Sequence, residues 1–119
     1  MSEFSFHNSP QQWQSHLHSH KACSPRGGAS IIKSENSILI FGGVNRDQEH
    51  FSDLIICRNT ESQNSLKWEL CETTGDIPTA RSGHATCIIG KYMFLSAGID
   101  FTEEVVYNDL YVFNTGYSS

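Results

Sequence analysis

The sequence predicts an all-β fold in which a four-stranded antiparallel unit is repeated, and three observations support this prediction. A fixed offset of 55 residues carries Trp13 onto Trp68 and Arg26 onto Arg81. Short runs rich in β-branched and aromatic residues, which favour strands, occur at matching places in both copies. No stretch shows the 3.6-residue periodicity of an amphipathic helix.

The predicted strands follow one another in the same order in the two copies. The first copy has four, near residues 28–33, 37–41, 54–58 and 66–70. The second copy has three, near residues 83–89, 91–96 and 110–113. Between the second and third strands the offset grows from 55 to 56 residues, as a single inserted loop residue would produce.

The composition of these strands predicts how they are buried. The second strand is continuously apolar in both copies, at residues 38–41 and 93–95, which is typical of a strand covered on both faces. The first strand instead begins with small residues, at 27–30 and 82–85. Small residues suit a crowded position where several sheets converge on one axis.

Several short motifs recur with the strands. They are Pro78-Thr79-Ala80-Arg81-Ser82-Gly83-His84-Ala85, Gly98 and Asp109-Leu110-Tyr111-Val112-Phe113 in the second copy, and Pro25, Arg26, Gly28, Gly42, Gly43, Asp53, Leu54 and Trp68 in the first. Together they resemble the kelch motif, whose unit is one four-stranded blade of a β-propeller. The chain departs from that motif at Ala29 and Ala97, which replace the usual histidine and glycine. A WD-repeat propeller is the nearest alternative, but the glycine pair after the second strand favours kelch.

The resemblance implies kelch-type β-propeller blades of four antiparallel strands in an incomplete propeller, because two blades cannot close a ring of about four to eight. It divides the chain into three segments. Residues 1–23 are expected to hold a strand that closes a propeller, followed by a linker. Residues 24–77 form the first repeat, and residues 78–119 the second repeat without its last strand. A truncated protein, a short isoform or an incomplete gene model would all give this arrangement.

Charge and hydropathy limit the classes of partner. Thirteen acidic residues against eight basic ones give a net charge of −5, which disfavours nucleic acid and anionic lipid. The N-terminus does not have the pattern of a secretion signal, and no apolar run has the length of a membrane span. We therefore expect a cytoplasmic chain that binds a protein or peptide and neither nucleic acid nor membrane.

The loops between the second and third strands, at residues 44–52 and 99–108, form the predicted binding surface, because the strands of such a fold are scaffold. The first loop is mixed in charge, whereas the second is acidic and contains an aromatic residue. The predicted partner-binding residues in these loops are Asn45, Arg46, His50, Asp100, Phe101 and Glu103. The alternative is that both loops are only solvated connections.

Arg26 and Arg81 are also predicted to bind the partner, on the strength of the resemblance. Some kelch substrate adaptors use an arginine at this position to hold acidic peptide segments, and a guanidinium matches a carboxylate in bidentate fashion. The alternative is a structural role in which each arginine binds nearby loop carbonyls.

The sequence predicts no enzyme, and therefore no catalytic residue, cofactor or metal. It contains no P-loop, nucleophile elbow or H-E-x-x-H motif. The only metal-like grouping is His16, His18, His20 and Cys23, which has no second ligand pair of the kind that structural zinc sites use. Two alternatives to a binding module stay open: a fragment of a metal-dependent or oxidase-like kelch-propeller enzyme, and a truncated isoform without independent function.

Overall fold

The computed structural model describes residues 11, 13, 24–60 and 65–116. These residues contain no helix, which confirms the all-β prediction. Their strands are β1 (Ser30–Ser34), β2 (Ser37–Phe41), β3 (Leu54–Thr60), β4 (Ser65–Cys71), β5 (Ala85–Ile89), β6 (Tyr92–Ser96), β7 (Ile99–Asp100), β8 (Val105–Val106) and β9 (Leu110–Asn114).

The strands form two larger antiparallel sheets and one small hairpin. The first sheet has the order β1-β2-β3-β4 and the second the order β5-β6-β9. Within each sheet the strands keep their chain order, and the β7–β8 hairpin lies between β6 and β9. In the first sheet Leu39 lies opposite Ile56, and Ile56 lies opposite Glu69. The second sheet repeats this arrangement, with Phe94 opposite Val112. All seven predicted strands are present.

The first strand of each sheet begins later than the sequence predicts. Gly28 and Gly83 each have a φ of +68°, which a strand does not accommodate, so β1 and β5 start two residues after them. The crowding predicted at the start of these strands is observed. The amide of Gly83 donates to the carbonyl of Gly28 at 2.9 Å, so the two sheets meet backbone to backbone at this point.

The core lies between the two sheets. Its buried residues are Leu39, Phe41, Leu54 and Ile56 from the first sheet and Met93 and Leu95 from the second. Burying an aliphatic or aromatic side chain of this size contributes about 1.5–3 kcal/mol each, so this contact is the main stabilising feature of the pair of sheets.

The expected burial of the second strand on both faces holds only in part. In β2, three consecutive residues, Leu39, Ile40 and Phe41, are buried, but Ile38 is exposed. In β6 buried residues alternate with more exposed ones, and Tyr92 is exposed. The prediction is wrong for β6 because only one of its faces packs against another sheet among the described residues.

A further difference concerns the segment predicted as the loop 99–108. It contains the hairpin of β7 and β8, in which Ile99 pairs with Val106 and Asp100 pairs with Val105. The Asp100 carboxylate accepts hydrogen bonds from the amides of Thr102 and Glu103 at 3.0 and 3.2 Å. This aspartate therefore fixes the turn that lets two-residue strands pair.

Two other expectations stand outside what the structure tests. Residues 1–23 lie outside the described part of the chain except for Gln11 and Trp13, and Trp13 is exposed. The closing strand and the three segment boundaries therefore remain predictions.

Within the described residues there is no helix with the length and apolarity needed to cross a membrane.

Candidate partner-binding surface

The β1–β4 sheet is the first blade and the β5-β6-β9 sheet the second. Arg26 is held inside the first blade by hydrogen bonds to both carboxylate oxygens of Asp53. Its Nη1 and Nη2 donate to the two carboxylate oxygens at 2.6 and 3.1 Å, and Nη1 also donates to the carbonyl of Gly42 at 3.1 Å. The guanidinium stacks over the ring of Phe51 at 4.1 Å. Arg26 thereby connects the segment before β1 to the loop after β2 and to the start of β3.

Arg81 repeats this arrangement in the second blade. It donates to both oxygens of Asp109 at 2.7 and 2.9 Å and to the carbonyl of Ala97 at 3.0 Å, and it stacks over Tyr107 at 3.9 Å. Its Nε donates to the carbonyl of Thr79 at 3.0 Å. The side chain of Arg81 is 0% exposed. Hydrogen bonding from this guanidinium holds the pKa of Asp109 below its usual value.

Both arginines thus direct the hydrogen-bond donors of their guanidinium groups to residues of their own blade. The Arg26 side chain is only 5% exposed, and that of Arg81 has no exposed surface, so neither presents a guanidinium to a partner in this structure. The geometry corresponds to the structural alternative, in which loop carbonyls are bound. Sequence reasoning missed the carboxylate partners, although a signal existed: an aspartate follows each arginine after 27 residues in the first copy and 28 in the second.

The loop at residues 44–52 is organised by Asn45. Its Oδ1 accepts hydrogen bonds from the amides of Asp47 and Glu49 at 3.0 and 2.9 Å, and its Nδ2 donates to the Glu49 carboxylate at 3.1 Å. Arg46 lies at the exposed tip of this loop. Asn45 therefore shapes the loop, while Arg46 is free to contact another molecule.

In the second loop the predicted residues divide in the same way. Asp100 is buried and supports the turn of the β7–β8 hairpin. Phe101 is 64% exposed and Glu103 is exposed beside it. Glu104 follows at the end of the turn with a φ of +56°, and its amide donates to the carbonyl of Phe101 at 3.3 Å. A buried carboxylate thus holds an exposed aromatic residue in place.

The two loops touch each other, and this contact brings the predicted residues together. Thr102 Oγ1 donates to the carbonyl of Gln48 at 3.0 Å. His50 Nδ1 lies 3.3 Å from the Asp100 carboxylate, and the rings of His50 and Phe101 are 5.9 Å apart. Residues 45–50 and 100–106 together form what we call the composite loop surface. Within it the side chains of His50 and Asp100 point inward and are buried. Arg46, Phe101 and Glu103 lie on its outside.

Backbone contacts fix the first loop to the second repeat as well. The amide of Gly43 donates to the carbonyl of Arg81 at 2.8 Å, and the amide of Arg81 donates to the carbonyl of Phe51 at 3.2 Å. Since Arg81 is itself anchored in the second blade, the first loop cannot shift without disturbing that blade. The composite loop surface is therefore built on both blades.

Beneath this region His84 joins the two sheets. Its Nε2 lies 2.8 Å from Ser30 Oγ, and its ring meets the edge of Phe41 with a centroid distance of 5.4 Å. Burial lowers the pKa of His84, because the charged imidazolium loses hydration there. This geometry agrees with a structural, hydrogen-bonded imidazole.

Among residues 24–60 and 65–116 no group of three His, Cys, Asp or Glu side chains could hold a metal ion. The segment that carries His16, His18, His20 and Cys23 lies outside the described residues.

The chain is similar to known proteins along most of its length. The model of the KLHDC2/KLHL20/DRC7 Kelch-repeats domain matches residues 2–119. Kelch domain-containing protein 3 of Homo sapiens is 29% identical over 90 residues, which are 76% of this chain and 22% of that protein. Acyl-CoA-binding domain-containing protein 4 of Arabidopsis thaliana is 34% identical over 94 residues, which are 71% of this chain and 13% of that protein. The Rho GTPase-activating protein gacHH of Dictyostelium discoideum is 30% identical over 89 residues, 75% of this chain and 6% of that protein. The chain thus spans 22% or less of the length of these relatives.

Proposed function

Because the chain belongs to the KLHDC2/KLHL20/DRC7 kelch-repeats domain family, we propose that it is a protein-interaction module that binds a partner protein or peptide through its composite loop surface. Kelch repeats commonly serve as interaction modules, with the strands as scaffold and the loops as the variable part. The setting that we propose is that of an adaptor or scaffold in the cytoplasm.

One observation carries this proposal. The arginine, aspartate and strand residues of the two blades repeat each other, whereas the loops after β2 and β6 differ in sequence and yet lie side by side. Scaffold positions that repeat and adjoining loops that diverge are what a recognition surface on a repeat fold requires. Arg46, Phe101 and Glu103 are the exposed residues of this surface that we expect to touch the partner.

In this proposal Arg26 and Arg81 act indirectly. Their guanidinium groups hold the starts of β3 and β9 and the carbonyls after β2 and β6, so they keep both loops in position. Asn45, His50 and Asp100 support the surface from below. The predicted partner-binding set therefore splits into residues that contact the partner and residues that position them.

We propose further that the chain itself is not an enzyme. The matching family model describes a repeat domain. The GTPase-activating and acyl-CoA-binding functions belong to the relatives that carry those names, and the chain matches only 6% and 13% of those two proteins.

Site-specific photocrosslinking tests the proposed surface. A photoreactive phenylalanine analogue is placed at Gln48 or Glu103 in the loops, and at Asn36 as a matched exposed control in the turn between β1 and β2, at the opposite end of the sheet. We expect a protein in cell extract to crosslink at Gln48 and Glu103 and not at Asn36, with the crosslink suppressed by excess unlabelled chain. Crosslinks that are equal at all three positions, or that occur only at Asn36, would contradict the proposal.

A further inference from the structure

The composite loop surface exposes apolar side chains that the sheets do not need. Phe101 is 64% exposed, Val106 is 80% exposed and Val105 is also exposed. All three lie within the β7–β8 hairpin and its turn, at residues 99–106. Exposed apolar residues that are grouped and held rigidly are typical of an interaction surface.

Exposed carboxylates lie in the same two loops as these apolar residues. Asp47 and Glu49 are exposed on the first loop, and Glu103 and Glu104 are exposed on the second. The hydrogen bond between Thr102 and Gln48 brings the two pairs towards each other. Gln48 lies between the two acidic residues of the first loop, and Thr102 directly precedes those of the second. Arg46 is the one lysine or arginine in the composite loop surface, so negative charge dominates it.

A second and independent feature lies directly below. The side chain of His50 is only 2% exposed. Its Nδ1 lies 3.3 Å from the Asp100 carboxylate without hydrogen-bond geometry, and its Nε2 has no hydrogen-bond partner among the described residues. Buried polar atoms are normally satisfied by some partner. The buried imidazole packs against Phe101 and thus adjoins the place where a bound segment would rest.

We propose that the composite loop surface binds a protein segment in which a lysine or arginine stands next to an apolar residue. The apolar side chain packs on Phe101 and Val106, and the cation pairs with Glu103 or with the neighbouring carboxylates. Opposite charge at the rim steers such a segment to the surface and rejects acidic ones. This inference rests on the proposed function and specifies the chemistry of its partner.

The test is a selection of random peptides displayed on phage against the full 119-residue chain, followed by binding measurements with synthetic peptides. We expect the selected peptides to be enriched in a basic residue adjacent to an apolar one. The double variant Glu103→Gln, Glu104→Gln should weaken the binding of these peptides by roughly fivefold and make it less sensitive to salt, since each exposed ion pair contributes a modest amount. Glu35→Gln, in the exposed turn between β1 and β2, is the matched control and should change the affinity by less than about twofold.

The remaining outcomes separate the two proposals. One outcome is that the selected peptides lose binding to Phe101→Ser, carry no basic residues and bind the double variant as well as the parent chain. In that case the proposed partner chemistry is wrong and the proposed function stands. If no peptide is selected, or if the selected peptides bind all loop variants as well as the parent chain, both proposals are overturned. Circular dichroism of each variant verifies that the strands are retained.

Discussion

The guanidinium of Arg81 lies fully buried with both carboxylate oxygens of Asp109 at 2.7 and 2.9 Å. The same pair, Arg26 with Asp53, occurs in the first blade. A buried arginine that is satisfied by a carboxylate and by loop carbonyls stabilises a fold only while all its partners remain, because removing one of them leaves a desolvated charge. The two pairs are therefore the points at which each blade is most sensitive to substitution.

Replacing Arg81 with alanine should destabilise the chain by about 3 kcal/mol. This value is at the lower end of the usual range for breaking a buried pair, because 29% of the Asp109 side chain is exposed to water and can be rehydrated. Arg46→Ala, an arginine at an exposed loop tip, is the control and should change stability by less than about 0.5 kcal/mol. Urea unfolding followed by tryptophan fluorescence measures both. Equal effects of the two substitutions would show that Arg81 does not anchor the second blade.

The arginines also show where sequence reasoning reaches its limit. The repeat offset located both of them and the two loops, because those features recur in the linear pattern. The runs of β-branched and aromatic residues located all seven strands. It could not decide whether each guanidinium points outward to a partner or inward to a carboxylate. That choice depends on Asp53 and Asp109, which lie far along the chain and reach the arginines only after β2 and β3, or β6 and β9, have paired.

The β7–β8 hairpin was missed for a related reason. Ile99–Asp100 and Val105–Val106 are too short for a detectable alternating pattern. Their pairing depends on the Asp100 side chain, which fixes the turn, and on the contact of that turn with Gln48 in the other loop. Contacts between loops leave no periodic signal in a sequence. The prediction that these loops form a surface, however, needed only their divergence between otherwise matching repeats.

The burial of His84 predicts a dependence of stability on pH. Burial lowers the pKa of His84 below its ordinary value of 6.5, so the unfolded chain binds the proton more readily than the folded chain does. The stabilisation is therefore fully present above pH 6.5 and is lost as the pH falls below that value. Between pH 7.5 and pH 5 the parent chain should lose more stability than the variant His84→Gln, which cannot be protonated.

Chemical unfolding at a series of pH values measures this difference. Using the variant as the reference cancels the titration of the other histidines, which both proteins share. A constant stability difference across the range would mean that His84 does not titrate differently in the folded and unfolded chains.

Gly42 is predicted to be irreplaceable for two separate reasons. Its φ is +70°, and a Cβ atom there would lie 2.8 Å from the Arg81 carbonyl oxygen and 2.9 Å from His84 Cε1. Gly42→Ala should therefore cost about 1 kcal/mol through backbone strain and about 1–3 kcal/mol more through the clash between the blades. Gly75→Ala separates the two contributions, since Gly75 has a φ of +89° but open space around its Cα, and should cost only the strain. Thermal or urea unfolding measures the stability that each variant loses. Equal losses would show that the two blades make no close contact at Gly42.

The hydrogen bond from Thr102 to Gln48 should control the composite loop surface without controlling the fold. Thr102→Val keeps the shape of the side chain and removes the hydroxyl donor, which contributes about 0.5–1.5 kcal/mol at most because both loops are exposed. The loops should then move apart more readily, so the amides of Gln48, Glu49 and Glu103 should exchange with deuterium faster while those of the β2–β3 ladder remain protected. Thr115→Val removes a comparable hydroxyl bond, to the carbonyl of Lys91 at 2.8 Å, at the opposite end of the second sheet and should leave the loop amides unchanged. Faster loop exchange in both variants would indicate that the sheets are loosened as a whole. Unchanged exchange in Thr102→Val would mean that the contacts among His50, Asp100 and Phe101 hold the two loops together without this hydrogen bond.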